Sequence, residues 1–275
     1  MSAVTVAPST PLPTATKVPF GRLVLVEWRK MTDTRAGRTL LIISAGLLLL
    51  AMGIVVLVAA LNENFSVDLA LWSQILVFPI SLLTPVLAIL IVTQEWGQRT
   101  HMVTFTLEPS RMRVIVAKLV AVVALVLALM AVAVLCGVIG NVLAAAVGGY
   151  DASWSLDGTM FAWTVVSQLL YFVMAFGLAM CLLSTPFSIV VVYTVQLILP
   201  IVVWTPLMAF FGWARDLIPF VDIGVATSPF MAQSVMGQSG SLETSDYLAL
   251  VTSILLWVVA PVVLGSMRVI KSELK

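Results

Sequence analysis

Polar and apolar positions alternate along this chain in blocks far longer than a strand or an ordinary soluble helix. Crossing about 30 Å of hydrocarbon takes roughly 20 apolar residues in a helix, and six charge-free stretches reach that length. They lie at about residues 39–61, about 69–93, within 119–150, twice within 158–214, and at about 247–267. Ser184-Thr185-Pro186-Phe187 divides the long interval 158–214, because proline removes a helix donor and restricts the residue before it. The pattern predicts an all-α integral membrane protein with six transmembrane helices.

The polar blocks between these stretches have patterns of their own. Residues 17–38 place Phe20, Leu23 with Val24, Trp28 and Met31 on one helical stripe, with Arg22, Arg29, Lys30 and Asp33 largely opposite. This predicts an amphipathic helix lying on the inner membrane surface, Trp28 at headgroup depth and the basic residues toward anionic lipid. The plainer alternative is a set of topological charges without regular structure. The connection from Glu95 to Arg111 is longer than a hairpin needs and mixes charges with Trp96, Met102, Phe105 and Leu107, as a segment that docks on a partner does. Pro109 suits the first turn of the next helix, and Lys118, two turns on, is expected to snorkel from the membrane edge. Residues 211–246 are punctuated by Pro219 and Pro229 and predict short helices dipping into the outer leaflet, with an exposed loop as the alternative. Residues 1–16 lack the basic start and compact apolar run of a signal peptide and are expected to form a disordered tail. The expected organisation is tail 1–16, interfacial helix 17–38 and six-span domain 39–275.

Composition sharpens this picture. Apolar residues make up 61% of the 275 and charged ones 10%, against roughly a quarter charged in a soluble domain, and the mean hydropathy is +1.13. A net charge of +1 excludes the basic excess that drives nucleic-acid binding. Placement matters more than the sum. Lys17, Arg22, Arg29, Lys30, Arg35 and Arg38 precede the first stretch; Arg99, Arg111, Arg113 and Lys118 lie between the second and third; Arg268, Lys271 and Lys275 follow the sixth. With six spans these segments share one side. The other side keeps Arg215 and eight acids, Glu63, Asp68, Asp151, Asp157, Asp216, Asp222, Glu243 and Asp246. The positive-inside rule then puts both termini in the cytoplasm.

Several chemistries lack their parts. Gly237-Gln238-Ser239-Gly240 matches the serine motif of rhomboid proteases, but the lone histidine, His101, is expected across the bilayer, out of reach of the serine. No acid is expected inside a span, so a carboxylate proton relay is not anticipated. Cys136 and Cys181 have no neighbours at metal-ligand spacing. No lysine follows a glycine, so a phosphate-binding loop is absent and the chain is not expected to be an ATPase itself. Gly140, Ala144 and Gly148 permit a close helix contact, either between subunits or inside one.

The chain resembles the permease subunit of type 2 ABC exporters, and among them the short actinobacterial permeases. Glu27-Trp28-x-Lys30-Met31 followed by Arg35 is similar to that group's amino-terminal Glu-Trp-x-Lys-Leu block. Glu95, Thr100, Thr104, Pro109, Arg111 and Lys118 fall at the spacing of its Glu-x4-Thr-x3-Thr-x4-Pro-x-Arg-x6-Lys signature, and the Pro219 region looks like its proline-containing outer connection. Arg99 departs from the pattern, standing where many members have glycine. The resemblance implies a cytoplasmic coupling helix within 95–108, held in a groove of a separate ATPase chain. Trp96, Met102 and Phe105 are its candidate knobs, while Glu95, Arg99 and Arg111 fix orientation; the alternative for Glu95 and Arg111 is a local pair within the loop. It further implies two ATPase copies carrying ATP and Mg, no cofactor in this chain, a second permease copy or sister permease, and a bacterial plasma membrane. With no charge expected inside the spans, the anticipated substrate is hydrophobic or amphipathic: a drug, a peptide antibiotic or a lipid-linked molecule. Gln74, Gln168, Tyr171, Tyr193, Gln196 and Trp204 are candidate path residues, the glutamines equally suited to interhelical hydrogen bonds. A structural or regulatory membrane subunit without a path is the rival expectation.

Overall fold

A computed structural model describes residues 18–62, 65–97, 110–235 and 242–272. The described residues contain α-helices, two π-helical stretches and a short 3-10 turn, with no strands beyond one isolated bridge between Asp68 and Ser153. Helix α1 spans Phe20–Asp33. Six further helices are long and apolar enough to cross a membrane: α2 (Arg35–Leu61), α3 (Leu69–Gly97), α4 (Arg111–Gly148), α5 (Gly158–Leu182), α6 (Thr185–Phe210) and α9 (Thr244–Lys271). Between α6 and α9 lie α7 (Gly212–Leu217), a 3-10 turn (Ile218–Phe220) and α8 (Ile223–Val235).

Local chemistry sets the breaks. Thr34 caps α2, its hydroxyl accepting the Gly37 N–H at 3.2 Å. A Cβ on Gly37 would stand 1.8 Å from the Met31 carbonyl oxygen, so the α1–α2 corner closes only around glycine. Asp157 caps α5 through the N–H groups of Thr159 and Met160 at 2.8 and 2.9 Å. Leu183 ends α5 in the left-handed region at φ 54°, directly before the Ser184-Thr185-Pro186 sequence that restarts the chain as α6. Within α6, residues Thr194–Trp204 widen to π-helix around Pro200, and in α9 a shorter π-stretch, Leu255–Val259, precedes Pro261.

Trp72, Leu76, Ile80, Leu87 and Ile89 of α3 and Phe172, Met174 and Phe176 of α5 form the centre of the core. Helix α3 is the most enclosed of the six and α6 the least. Leu49, Leu50, Ile54 and Leu57 of α2 and Phe187, Val190, Ile201 and Val202 of α6 face outward, a distribution that lipid accommodates and water does not. Close contacts come from small residues. Cβ atoms built on Gly137 and Gly140 would meet the Trp72 side chain, at 3.5 Å and 2.7 Å, so this part of the small-residue stripe in α4 is spent on packing inside the chain. On the other side Gly177 and Gly265 let the α5 and α9 backbones touch, a Cβ on Gly265 falling 2.6 Å from Met180 Cβ and 2.9 Å from the Gly177 oxygen.

Hydrogen bonds sort the helix ends into two groups. At one end Arg111 donates to the carbonyls of Val269, Ile270 and Ser272 at 3.1, 2.7 and 2.8 Å, Arg268 donates to Cys181, and Thr93 pairs with Thr185 at 2.7 Å. At the other end Ser155 donates to Asp68 at 2.9 Å, Asn141 to Ser153 at 2.8 Å, and Trp257 to Val221 at 2.5 Å. Among the described residues every lysine and arginine except Arg215 lies at or leads into the first end, here termed the basic end; Asp68, Asp151, Asp157, Asp216, Asp222, Glu243 and Asp246 belong to the other.

Candidate functional site

The basic end holds a cluster of four charges, three of them buried and the fourth, Lys30, part-exposed at its edge. Glu27 comes from α1, Glu95 from the last turn of α3, Lys118 from the second turn of α4, and Lys30 from α1 one turn after Glu27. Lys118 Nζ donates to Glu27 Oε2 and Glu95 Oε1, both at 2.7 Å, and to the Ile91 carbonyl at 3.2 Å. Lys30 Nζ donates to Glu27 Oε1 at 2.7 Å and Glu95 Oε1 at 2.6 Å. Glu27 is 3% exposed and Glu95 and Lys118 are each 7% exposed. Two acids and two bases cancel, and every ammonium is shared between carboxylates, the condition under which buried charge is tolerated. Burial alone would lower the Lys30 pKa, but the carboxylates of Glu27 and Glu95 outweigh it and hold the ammonium above the ordinary lysine value.

Three expectations change here. Lys118 does not snorkel outward; its side chain turns into the protein, where two carboxylates and the Ile91 carbonyl accept from it. Helix α3 continues past Thr93 to Gly97 and so carries Glu95 inside it, where the pattern anticipated no acid. Residues Val24, Trp28 and Met31 of α1 pack on the other helices, with Glu27 among them, rather than facing lipid. Trp96 is half-buried against the same core, and Arg35 is exposed at the start of α2. Arg111 reaches the last carbonyls of α9, whose negative end favours a guanidinium. Arg99, Thr100, Met102, Thr104, Phe105 and Pro109, and the Gly237–Gly240 motif, lie outside the described residues.

The six candidate path residues do not sit in one place. Tyr193 and Gln196 of α6 turn to α3, Tyr193 donating to the Leu82 carbonyl and Gln196 to the Ser81 carbonyl at 3.4 Å. Ser81 is four residues before Pro85, which has no N–H to give it, so Gln196 supplies the missing donor. Gln74 contacts Met160 Sδ at 3.7 Å, and Gln168 is buried in α5. Tyr171 and Trp204 converge on Asp222, which precedes α8 and is 6% exposed. Asp222 accepts the Val225 N–H at 2.9 Å, and the nearby Gly224 amide and Trp204 side chain also favour its charged form. Burial nevertheless pushes its carboxyl above the ordinary aspartate range. Helix α8 runs beside α5, Gly224 near the Tyr171 hydroxyl and Phe230 4.5 Å from Trp163 between ring centroids. Sequence reasoning counted Asp222 only as a topological charge; the Pro219 punctuation and apolar flanks were the signal that its segment folds inward.

No family model matches the chain, and no curated protein matches it.

Proposed function

We propose that the chain is the permease subunit of an ATP-driven type 2 ABC exporter, moving a hydrophobic or amphipathic substrate out of the cytoplasm or inner leaflet while a separate ATPase chain supplies the energy. The observation that carries this reading is the ion cluster. Residues 98–109, the proposed coupling segment, are flanked by Glu95 on α3 and Lys118 on α4, and these two side chains bond to each other and to Glu27 on α1. A push on that segment therefore acts on α1, α3 and α4 as one body rather than bending a loose loop. The segregation of basic residues at one end supports a cytoplasmic location for that end and for both termini.

In this mechanism ATP binding closes the two ATPase copies and displaces the coupling segments. The prolines of α3 and the π-stretches of α6 and α9 interrupt the regular helical ladder and are the places at which this mechanism lets the long helices bend. Two permease copies, identical or sister chains, enclose the path in a bacterial plasma membrane. Purification in mild detergent should retain an ABC ATPase whose hydrolysis candidate substrates stimulate, and Phe105→Asp should uncouple hydrolysis from transport. An isolated chain that retains no ATPase, with none encoded beside it, sinks the reading in favour of a structural or regulatory subunit. Wild-type transport by Phe105→Asp sinks the docking assignment.

A further inference from the structure

Helix α1 has two faces, and the fold uses one. Glu27 and Met31 are buried, with Val24 and Trp28 packed beside them. The opposite face carries Arg22, Leu25, Val26 and Arg29, whose i, i+3, i+4, i+7 spacing puts all four side chains on one stripe. All four are exposed, Leu25 to 48% and Val26 to 45%. This stripe differs from the Phe20, Leu23, Val24, Trp28 and Met31 stripe that the sequence suggests for the lipid face.

We infer that the Arg22–Leu25–Val26–Arg29 stripe is a binding surface for anionic phospholipid, the arginines holding headgroup phosphate and Leu25 and Val26 entering the acyl boundary. Charge complementarity selects the occupant. Exposed arginines at 22, 29, 35 and 38 face a single exposed acid on α1 and the start of α2, Asp33, and none of the four forms an ion pair with a described residue. Guanidinium groups match phosphate oxygens in pairs, and a basic helix with aliphatic residues between its cations lies in the plane of an anionic interface. Helix α2, which follows at once after Thr34, exposes Ile42 and Ile43 as a lipid-facing helix does. Lys30, which the sequence groups with these cations, is withdrawn to the carboxylates of the cluster. The assignment does not depend on what the protein transports.

The test uses the full chain in neutral detergent, with thermal unfolding followed on adding phosphatidylglycerol, phosphatidylcholine or soluble glycerol phosphate. Phosphatidylglycerol should raise the midpoint and the other two should not. In Arg22→Gln/Arg29→Gln that shift should fall by about half or more, two of four exposed cations having been removed, while Arg215→Gln at the acidic end keeps it. Native mass spectrometry of phosphatidylglycerol retained per chain gives the same comparison should the double variant unfold early without lipid. Equal shifts from both lipids, or an undiminished shift in the double variant, overturn the proposal. A shift reproduced by glycerol phosphate assigns the arginines to a free phosphate instead. Loss of a bound ATPase chain with the lipid shift intact assigns the stripe to a protein partner.

Discussion

Lys118 and Glu27 are 91 residues apart in the chain and 2.7 Å apart between Nζ and Oε2. Their bond is the shortest physical statement of how the basic end is organised, because it ties a helix outside the six long ones to the first turns of α4. Glu95 closes the triangle from α3, and Lys30 doubles the link from α1. The cluster is thus a joint between three helices rather than a set of surface charges.

Removing one member should cost far more than removing a matched pair. Lys118→Met leaves Glu27 and Glu95 with Lys30 alone, and stranding buried charge costs about 3–5 kcal/mol. Glu27→Gln/Lys118→Met should be less destabilised than the sum of its single variants, by 1 kcal/mol or more on the order expected of contacting charges. A double-mutant cycle on unfolding in detergent measures this; additive effects would show that the pair is not coupled.

Gln196 should matter only because of Pro85. Its amide serves the Ser81 carbonyl that proline leaves without a helical donor, and interhelical bonds of this kind contribute about 0.6 kcal/mol on average, rarely above 1.7. Gln196→Leu should destabilise by about that amount in the wild-type background and by clearly less in Pro85→Ala, where the helical N–H returns. An equal loss in both backgrounds would mean that Gln196 acts elsewhere.

The six long helices were legible because hydrocarbon thickness sets a length that composition cannot hide, and the 184–187 break because proline chemistry is local. The cluster was half legible. Glu27, Lys30, Glu95 and Lys118 all stand in the polar blocks 17–38 and 95–118, but the sequence gives no distance between 27 and 118. Helical periodicity placed an apolar stripe on α1 and assigned it to the membrane surface, whereas the other helices cover Val24, Trp28 and Met31, because an amphipathic pattern is the same whether lipid or protein lies against it. For Asp222 the sequence reading reaches its side of the membrane and stops there, because its neighbours Tyr171 and Trp204 are remote in the chain and meet it only once the connection folds back along α5.

The α5–α9 contact should tolerate no side chain where the backbones meet. Gly265→Leu must displace Met180 Cβ and the Gly177 oxygen, both under 3.0 Å from a Cβ there, and overpacking of this kind costs about 1–3 kcal/mol or more. Gly46→Leu and Gly53→Leu, whose Cβ atoms would meet nothing within 4 Å, should be near neutral in the same unfolding assay. Equal effects at all three positions would remove the packing argument.

Asp222 should make the acidic end respond to pH in a direction opposite to an ordinary paired carboxylate. Burial raises its pKa in the fold despite the Val225, Gly224 and Trp204 donors, so the neutral form is the better accommodated one. Its contribution to stability is then full below the ordinary aspartate pKa of about 3.9 and is lost as pH rises through the raised value. Asp222→Asn keeps a neutral side chain at all pH values, so its unfolding midpoint relative to wild type should climb as pH increases from about 4 to 7. Trp204→Phe removes one donor that favours the charged form and should move the wild-type transition to higher pH. A difference between wild type and Asp222→Asn that stays flat, or falls, across that window would show that the carboxylate is satisfied as an anion where it lies.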